Sequence, residues 1–227
     1  MIQFGLIKSI EKCETNPIIG EIKVYSPEFG DLLQGRDPLD ILNIYEDAGM
    51  VGISYITASE YKGNFRIFKE ICRETNLPVL RKDFIKTKEE IERTSEAGGS
   101  AVLLITGILG KKIGKFVDYS LKKSIEPVVE VHSLKELRIA QETNTNIIGI
   151  NNRDITKLEM DNGTVEKTAK LSSFVEDDFI IISESSVRTI DDLETALTFS
   201  NVVLVGTAFM KAEDLSYRVH NFLNFKR

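Results

Sequence analysis

At 227 residues, 42% apolar and 28% charged, the chain can bury one large core, and its composition excludes a disordered polymer or a coiled coil. Its formal charge of −6 argues against nucleic-acid binding, which needs a clustered basic face, but leaves room for a small anion in one basic pocket. No apolar run approaches the ~20 residues of a membrane span, and the stretch from Met1 to Leu6 has no basic segment leading into a long apolar one, so neither membrane nor signal peptide is expected.

In chain order, Ile18–Ile22 is the first apolar, β-rich run. Asp37 then caps a helix over Pro38–Ala48, with proline in its first turn. Gly52–Thr57 and Pro78–Leu80 follow as strands. A helix over Thr87–Ala97 stops at Gly98-Gly99. Ala101–Ile105 and Pro127–Val131 are the next strands, and Ser133 and Glu136 open a helix over Ser133–Glu142 at the spacing of a capping box. Ile147–Ile150 and Phe179–Ser183 come next, then a helix over Thr189–Thr198 that is acidic at its start, then Val202–Val205. Many of these strands are continuous Val/Ile/Leu runs, as expected of parallel strands buried on both faces. Their alternation with helices predicts a parallel sheet. Eight of them in this length predict residues 1–227 as a single (β/α)8 TIM-barrel domain, rather than an open doubly wound sheet.

In such a barrel chemistry belongs at the carboxyl ends of the strands. The first strand runs out as Glu21-Ile22-Lys23, and alternation sends Glu21 and Lys23 into the mouth. The third ends at Lys82, the fifth at Glu130 and His132, the sixth at Asn151 and Arg153, and the seventh at Glu184. Any one of these is ordinary where a strand enters a loop. Together they would be several buried charges without partners, which folding does not tolerate without a use. Ser185-Ser186 and Gly206-Thr207, after the last two strands, expose backbone N–H groups where many barrels bind phosphate, so the expected partner is a phosphorylated small molecule. Cys13 and Cys72 form no CxxC pair and read as reduced thiols of a cytoplasmic protein. His132 and His220 read as surface or packing histidines, and they cannot build a metal site alone.

The strings Ile19-Gly20-Glu21-Ile22-Lys23-Val24-Tyr25-Ser26-Pro27, Leu77 to Ile85 (LPVLRKDFI), Val129-Glu130-Val131-His132, Ile148 to Asp154 (IGINNRD) and Ser183-Glu184-Ser185 resemble those of indole-3-glycerol-phosphate synthases, in that family's order, from about Ile18 to about Met210. The resemblance implies closure of the indole ring from 1-(2-carboxyphenylamino)-1-deoxyribulose 5-phosphate with loss of CO₂ and water, a reaction of tryptophan biosynthesis that needs no cofactor or metal. It implies Lys82 as the general acid at the substrate carbonyl, Glu130 as acid/base partner in the dehydration, and Lys23 beside the substrate carboxylate. Glu21 and Asn151 would orient these groups. Ser185 would join them, with Arg153 and Glu184 lining the same pocket. Phosphate would sit against Ser26, Ser186, Gly206 and Thr207. Association with other enzymes of the pathway is left open.

This chain departs from the family pattern in three places. Ser186 stands where glycine is usual. If the backbone there is left-handed, as a glycine position allows, Ser186 is strained; the favoured expectation is a right-handed Ser186 that leads straight into the helix capped by Thr189, with its hydroxyl facing the anion. Ile56-Thr57-Ala58 replaces the usual L-T-E, with Tyr61-Lys62-Gly63 in the following loop, and few residues precede Ile18, which predicts a shortened N-terminal extension. Two other readings compete. A phosphoribosylanthranilate isomerase would use a catalytic cysteine, and neither cysteine ends a predicted strand. A barrel that binds a phosphorylated metabolite without turnover would have no need of Lys23, Lys82, Glu130 and Asn151 together.

Overall fold

The computed structural model describes residues 5–153 and 163–225. Asp154, at the end of the I-N-N-R-D string, and the first four residues, read above for a leader, lie outside them. Eight parallel strands close into a barrel in sequence order: β1 (Ile18–Ile22), β2 (Gly52–Ile56), β3 (Val79–Lys82), β4 (Ala101–Ile105), β5 (Glu126–Val131), β6 (Ile147–Asn151), β7 (Ile180–Glu184) and β8 (Val202–Val205). Closure is made at β1, where Ile19 lies opposite Gly52 of β2 and Ile18 opposite Val203 of β8. Three strands run further toward the mouth than predicted: β3 to Lys82, β6 to Asn151 and β7 to Glu184. Backbone pairing continues beneath polar side chains there, with Ile56 opposite Lys82 and Asn151 opposite Glu184. Ladder hydrogen bonds depend on the backbone, so a polar side chain does not end a strand if it has partners.

Helices α1 (Leu6–Glu11), α2 (Pro38–Ala48), α3 (Phe65–Glu74), α4 (Lys88–Glu96), α5 (Ile113–Lys122), α6 (Leu134–Gln141), α7 (Glu166–Ser172), α8 (Ile190–Phe199) and α9 (Leu215–Asn224) accompany the strands. Their ends follow local chemistry. Asp37 accepts the Leu39 N–H at 2.8 Å, and Gly49 ends α2 with φ +87°. Reciprocal capping boxes start α4 (Thr87 with Glu90) and α8 (Thr189 with Asp192). The box predicted at α6 is not closed. Ser133 accepts the Glu136 N–H, but the Glu136 carboxylate reaches past Ser133 to the N–H of His132 at 2.8 Å.

Helix α1, which the sequence reading did not identify, closes the bottom of the barrel. Leu6 is buried among Ile19, Val51, Leu80 and Ala101, and the N–H groups of Leu6 and Ile7 face the carboxylate of Glu126 at the start of β5. Two larger apolar clusters fill the layer between barrel and helices. Among the described residues no helix is long and apolar enough to cross a membrane.

Alternation along the strands sets what the barrel contains. Ile19, Leu80, Val128 and Ile182 point inward and pack together. Two residues further on, the same faces of β1, β3, β5 and β7 carry Glu21, Lys82, Glu130 and Glu184. Four side chains from alternate strands make one layer of a (β/α)8 interior, and such layers are usually apolar. Here the top layer is charged, and neighbouring glycines make room for it. A Cβ at Gly149 of β6 would lie 2.1 Å from Oε1 of Glu184, and one at Gly206, just after β8, would lie 2.3 Å from Oε1 of Glu21. Gly149→Ala is therefore expected to destabilise the fold by about 1–3 kcal/mol through overpacking. Chemical denaturation would measure this, and an unchanged midpoint would show that Glu184 can yield the space.

Candidate active site

Lys82 is the centre of the charged layer. Its Nζ lies 3.0 Å from Glu184 Oε2 and 3.4 Å from Glu21 Oε2. Lys23, from the turn after β1, lies 3.4 Å from the other oxygen of Glu21 and donates to Thr207 Oγ1 at 3.2 Å. The residue before Lys82 faces the other way. Arg81 points out of the barrel, where it donates to Thr57 Oγ1, the Glu90 carbonyl and Thr94 Oγ1 at 2.9–3.1 Å and pairs with Asp83 at 2.9 Å. Anchoring Arg81 on one face of β3 fixes Lys82 on the opposite, inward face.

Burial of this layer penalises every charge in it, so the partners decide who is ionised. Burial opposes the Lys82 ammonium, but Glu184, Glu21 and Glu130 outweigh it and hold the lysine protonated. Burial likewise opposes ionisation of Glu21, yet Lys82 and Lys23 bring its carboxyl below the usual range. Glu130 is also brought below that range: burial is outweighed by His132, Lys82 and a hydrogen bond from Asn151. Glu184 is the exception. Burial, with the repulsion of Glu130 and Glu21, exceeds the pull of Lys82 and pushes its carboxyl up to about 7. One lysine thus stands among carboxylates of two kinds, two held ionised and one that exchanges its proton near neutrality.

Above the layer opens a cavity of about 630 Å³. Glu21, Lys23, Lys82, Glu130, Asn151, Arg153, Ser185, Ser186, Gly206 and Thr207 all line it, so most of the expected site converges on one mouth. Glu184 is fully buried beneath Lys82 and meets the cavity only through it. Ser26 is not brought there: it is buried in a short hairpin opposite Gly30, and its Oγ accepts the Glu28 N–H at 3.2 Å. Glu28 also pairs with Arg153 at 3.4 Å. The unusual second-strand loop forms part of the apolar wall, where Ile56, Ala58 and Tyr61 join Phe84, Leu103 and Ile105. Arg188, Lys211 and Arg218 line the side of the cavity that holds the Ser185-Ser186 and Gly206-Thr207 loops. The first and last of these touch, Arg218 donating to the Arg188 carbonyl at 3.2 Å. Among the described residues, no group of three or more His, Cys, Asp or Glu is placed to hold a metal ion.

Two expectations fail on local geometry. Ser186 is left-handed, not right-handed, with φ +65°, and Ser185 before it has φ +66°. The reason lies beneath them. Asn152 donates to the carbonyls of Glu184 and Ser185 at 3.0 and 3.2 Å, which turns the chain sharply at the end of β7, and two positive-φ residues are needed before it enters the Thr189 cap. The Ser186 hydroxyl is buried without a hydrogen-bond partner among the described residues. His132, read as a packing histidine, has its ring between two carboxylates. Nε2 is 3.2 Å from Glu130 Oε1, off the line of a well-aligned hydrogen bond, and Nδ1 is 3.4 Å from Glu136 Oε2. The signal was present in the sequence, since alternation after Glu130 sends Val131 outward and His132 back toward Glu130.

A closed (β/α)8 barrel with a protonated lysine among buried carboxylates at the carboxyl ends of its strands defines a barrel enzyme built for proton transfer. A family model described as indole-3-glycerol phosphate synthase matches residues 4–222, further at both ends than the motifs alone reach. The chain is 56% identical over 227 residues to the indole-3-glycerol phosphate synthase of Pyrococcus abyssi, covering 100% of this chain and 99% of that one. It is 54% identical over 224 residues to that of Pyrococcus furiosus, covering 98% of each. Among solved structures, the N-acetylmannosamine-6-phosphate 2-epimerase from Clostridium perfringens aligns over 85% of this chain and 86% of its own, with TM-score 0.64 and 17% identity, a likeness of fold alone. The chain belongs to the indole-3-glycerol phosphate synthase family.

A left-handed non-glycine residue costs roughly 1–2 kcal/mol, and part of that returns when glycine replaces it. Ser186→Gly is therefore expected to raise stability by about 0.5–1 kcal/mol. A thermal melt tests this, and a midpoint equal to or below that of the parent contradicts it.

Proposed function

We propose that Lys82, Glu130 and Lys23 carry the ring closure of the family reaction in this chain, with the phosphate of the substrate held by the loops after β7 and β8. The reaction converts 1-(2-carboxyphenylamino)-1-deoxyribulose 5-phosphate to indole-3-glycerol phosphate, a carboxy-lyase step of tryptophan biosynthesis. The aromatic carbon that bears the carboxylate bonds to the ketone carbon. Lys82 gives a proton to the ketone oxygen, which becomes a hydroxyl. CO₂ then leaves, and its electron pair restores the aromatic ring. Loss of the hydroxyl as water, with a proton from the adjacent methylene carbon, completes the second ring.

The residues suit these steps. Lys82 is charged and aimed at the cavity, as a general acid must be before the bond forms. Glu184, with its carboxyl near 7 and 3.0 Å from Lys82, can return the proton that Lys82 gives up. Glu130, held ionised, is the base for the methylene proton, and Lys23 is the cation for the carboxylate and the second acid. Glu21 orients both lysines, and Asn151 and Ser185 flank the reacting groups. The apolar wall from Ile56 to Ile105 accepts the benzene ring, while Arg153 and the cationic side with Arg188 and Arg218 favour the anionic ends. Ser186, Gly206 and Thr207 border that side and offer backbone N–H groups to the phosphate. A cytoplasmic location is part of the same proposal, supported by the free thiols of Cys13 and Cys72.

The observation that carries this reading is the Lys82 ammonium, held by Glu184 and Glu21 at the floor of the cavity. Lys82→Ala is expected to lower kcat at least ~100-fold, the usual worth of a positioned general acid, with a much smaller change in KM. Appearance of indole fluorescence from the synthetic substrate follows both constants. A variant with near-parental kcat would remove Lys82 from the acid role.

A further inference from the structure

Beyond the residues that face the substrate, His132 stands behind Glu130 and does not line the cavity. Three elements meet at its ring. β5 supplies Glu130, which is buried, on one side, and α6 supplies Glu136 on the other. The same oxygen of Glu136 accepts the backbone N–H of His132 at 2.8 Å, so Glu136 holds both the backbone and the ring of one residue. Glu136 is itself fixed, as the third residue of α6 under the Ser133 cap. From α7, Lys167 brings an opposing positive charge, its Nζ donating to the Arg153 carbonyl at 3.1 Å.

We propose that His132 is a positioning residue for the ring-closing reaction: its cationic ring, clamped between Glu130 and Glu136, fixes the Glu130 carboxylate in the mouth and keeps it ionised. This rests on the reading of Glu130 as the base in the dehydration. A carboxylate this deep needs a cation or strong donors to remain charged. Lys82 is shared among three carboxylates, and Asn151 donates only a neutral hydrogen bond. Among the described residues, the ring at 3.2 Å is the further cation within 4 Å of Glu130.

The ionisation states agree with the geometry. Burial and Lys167 oppose charge on His132, but Glu130 and Glu136 outweigh them and raise its pKa above the ordinary histidine value. Removing the ring would leave Glu130 with burial opposed only by Lys82 and Asn151, so its pKa would rise. A base whose pKa rises loses activity first at low pH.

The test compares pH–rate profiles of the parent, His132→Gln and Glu136→Gln. In His132→Gln the acid limb of kcat/KM is expected to move to higher pH by about one unit or more, the effect of losing a close opposite charge. The loss of kcat should grow toward about tenfold at pH values below both limbs, the full effect of a one-unit shift, and shrink as pH rises past the displaced limb, with KM within about twofold. In Glu136→Gln, which keeps the ring, a smaller shift in the same direction is expected. It also serves should His132→Gln fail to fold. The chain has only two histidines, so the ring signals of His132 and the exposed His220 are readily separated by nuclear magnetic resonance. That titration needs no turnover. His132 should titrate above the ordinary value in the parent and lower in Glu136→Gln.

A merely structural role for His132 would lower activity equally at every pH, and that result would overturn the proposal. So would an unmoved acid limb in both variants or a ring that titrates at the ordinary value. Glu130→Gln controls the reading beneath it. Full turnover in that variant overturns both, whereas an inactive Glu130→Gln beside an unshifted His132→Gln overturns the positioning role alone.

Discussion

The structure depends on one constraint: a barrel layer that carries three buried carboxylates shares one central ammonium, Lys82, with Lys23 beside Glu21 and His132 beside Glu130 as its further cationic support. In a barrel without function this layer would be Val, Ile and Leu. Replacing it by charge forfeits apolar burial and imposes desolvation on every member. Much of the surrounding geometry serves to make that tolerable. Gly149 and Gly206 give up their Cβ atoms to the carboxylates of Glu184 and Glu21. Arg81 is tied outward by Thr57, Glu90, Thr94 and Asp83, so that its neighbour is turned inward. Glu184 lies near the midpoint of its titration at neutral pH, which spares the layer a full third negative charge. The same crowding that costs stability separates the proton affinities of Lys82, Glu130 and Glu184, and acid–base chemistry uses that separation.

The loops above the layer show a similar exchange of stability for position. Ser185 and Ser186 both sit at positive φ, because Asn152 draws the end of β7 into a sharp turn. The turn brings both serines to the wall of the mouth, beside the loop after β8. Strain held at a ligand-facing loop and over-determined by hydrogen bonds beneath it is a recurring feature of binding sites. Its cost is carried by the well-packed lower barrel, where Leu6 and the inward aliphatic residues of the strands fill the space without polar atoms.

The barrel was legible because its strands are nearly continuous aliphatic runs and its helices begin with strong caps; Asp37, Thr87 and Thr189 all cap as their side chains predict. The convergence of Glu21, Lys23, Lys82, Glu130 and Asn151 was legible from their places at strand ends, with two-residue alternation aiming Glu21 and Lys23, and from the family strings that carry them. What escaped was whatever depends on contacts remote in sequence. The glycine usual at position 186 was a hint of positive φ, but the contact that accompanies it, from Asn152 at the preceding strand end, is remote in sequence, and the direct lead into the Thr189 cap favoured the opposite sign. The family resemblance implies Ser26 as a phosphate ligand, but the hairpin pairing of Tyr25 and Ser26 with Gly30 and Asp31 buries it. Helix α1 is too short to show a period, and its place under the barrel depends on Glu126, 120 residues away. His132 was misread because half of its clamp, Glu136, was assigned to capping Ser133.

Among the described residues, Lys82 is the one cation common to all three carboxylates of the buried layer, and stability against pH tests its role without any substrate. In the parent, Glu21 and Glu130 have depressed pKa values, so they stabilise the fold above the ordinary carboxylate range of about 4.3. Glu184, raised to about 7, contributes stability at low pH that is lost as pH rises through that value. Lys82→Met keeps the apolar stem and removes the charge, so each of the three carboxylates should then take a higher value than in the parent, Glu184 most of all, while Lys23 still supports Glu21 and His132 still supports Glu130. The measurement is the unfolding midpoint of parent and Lys82→Met in denaturant from pH 4.5 to pH 8.5. The account predicts a small gap at the acid end that widens steadily toward the alkaline end, with the variant the less stable. A gap that does not change with pH, or a variant more stable than the parent at pH 8.5, would contradict it.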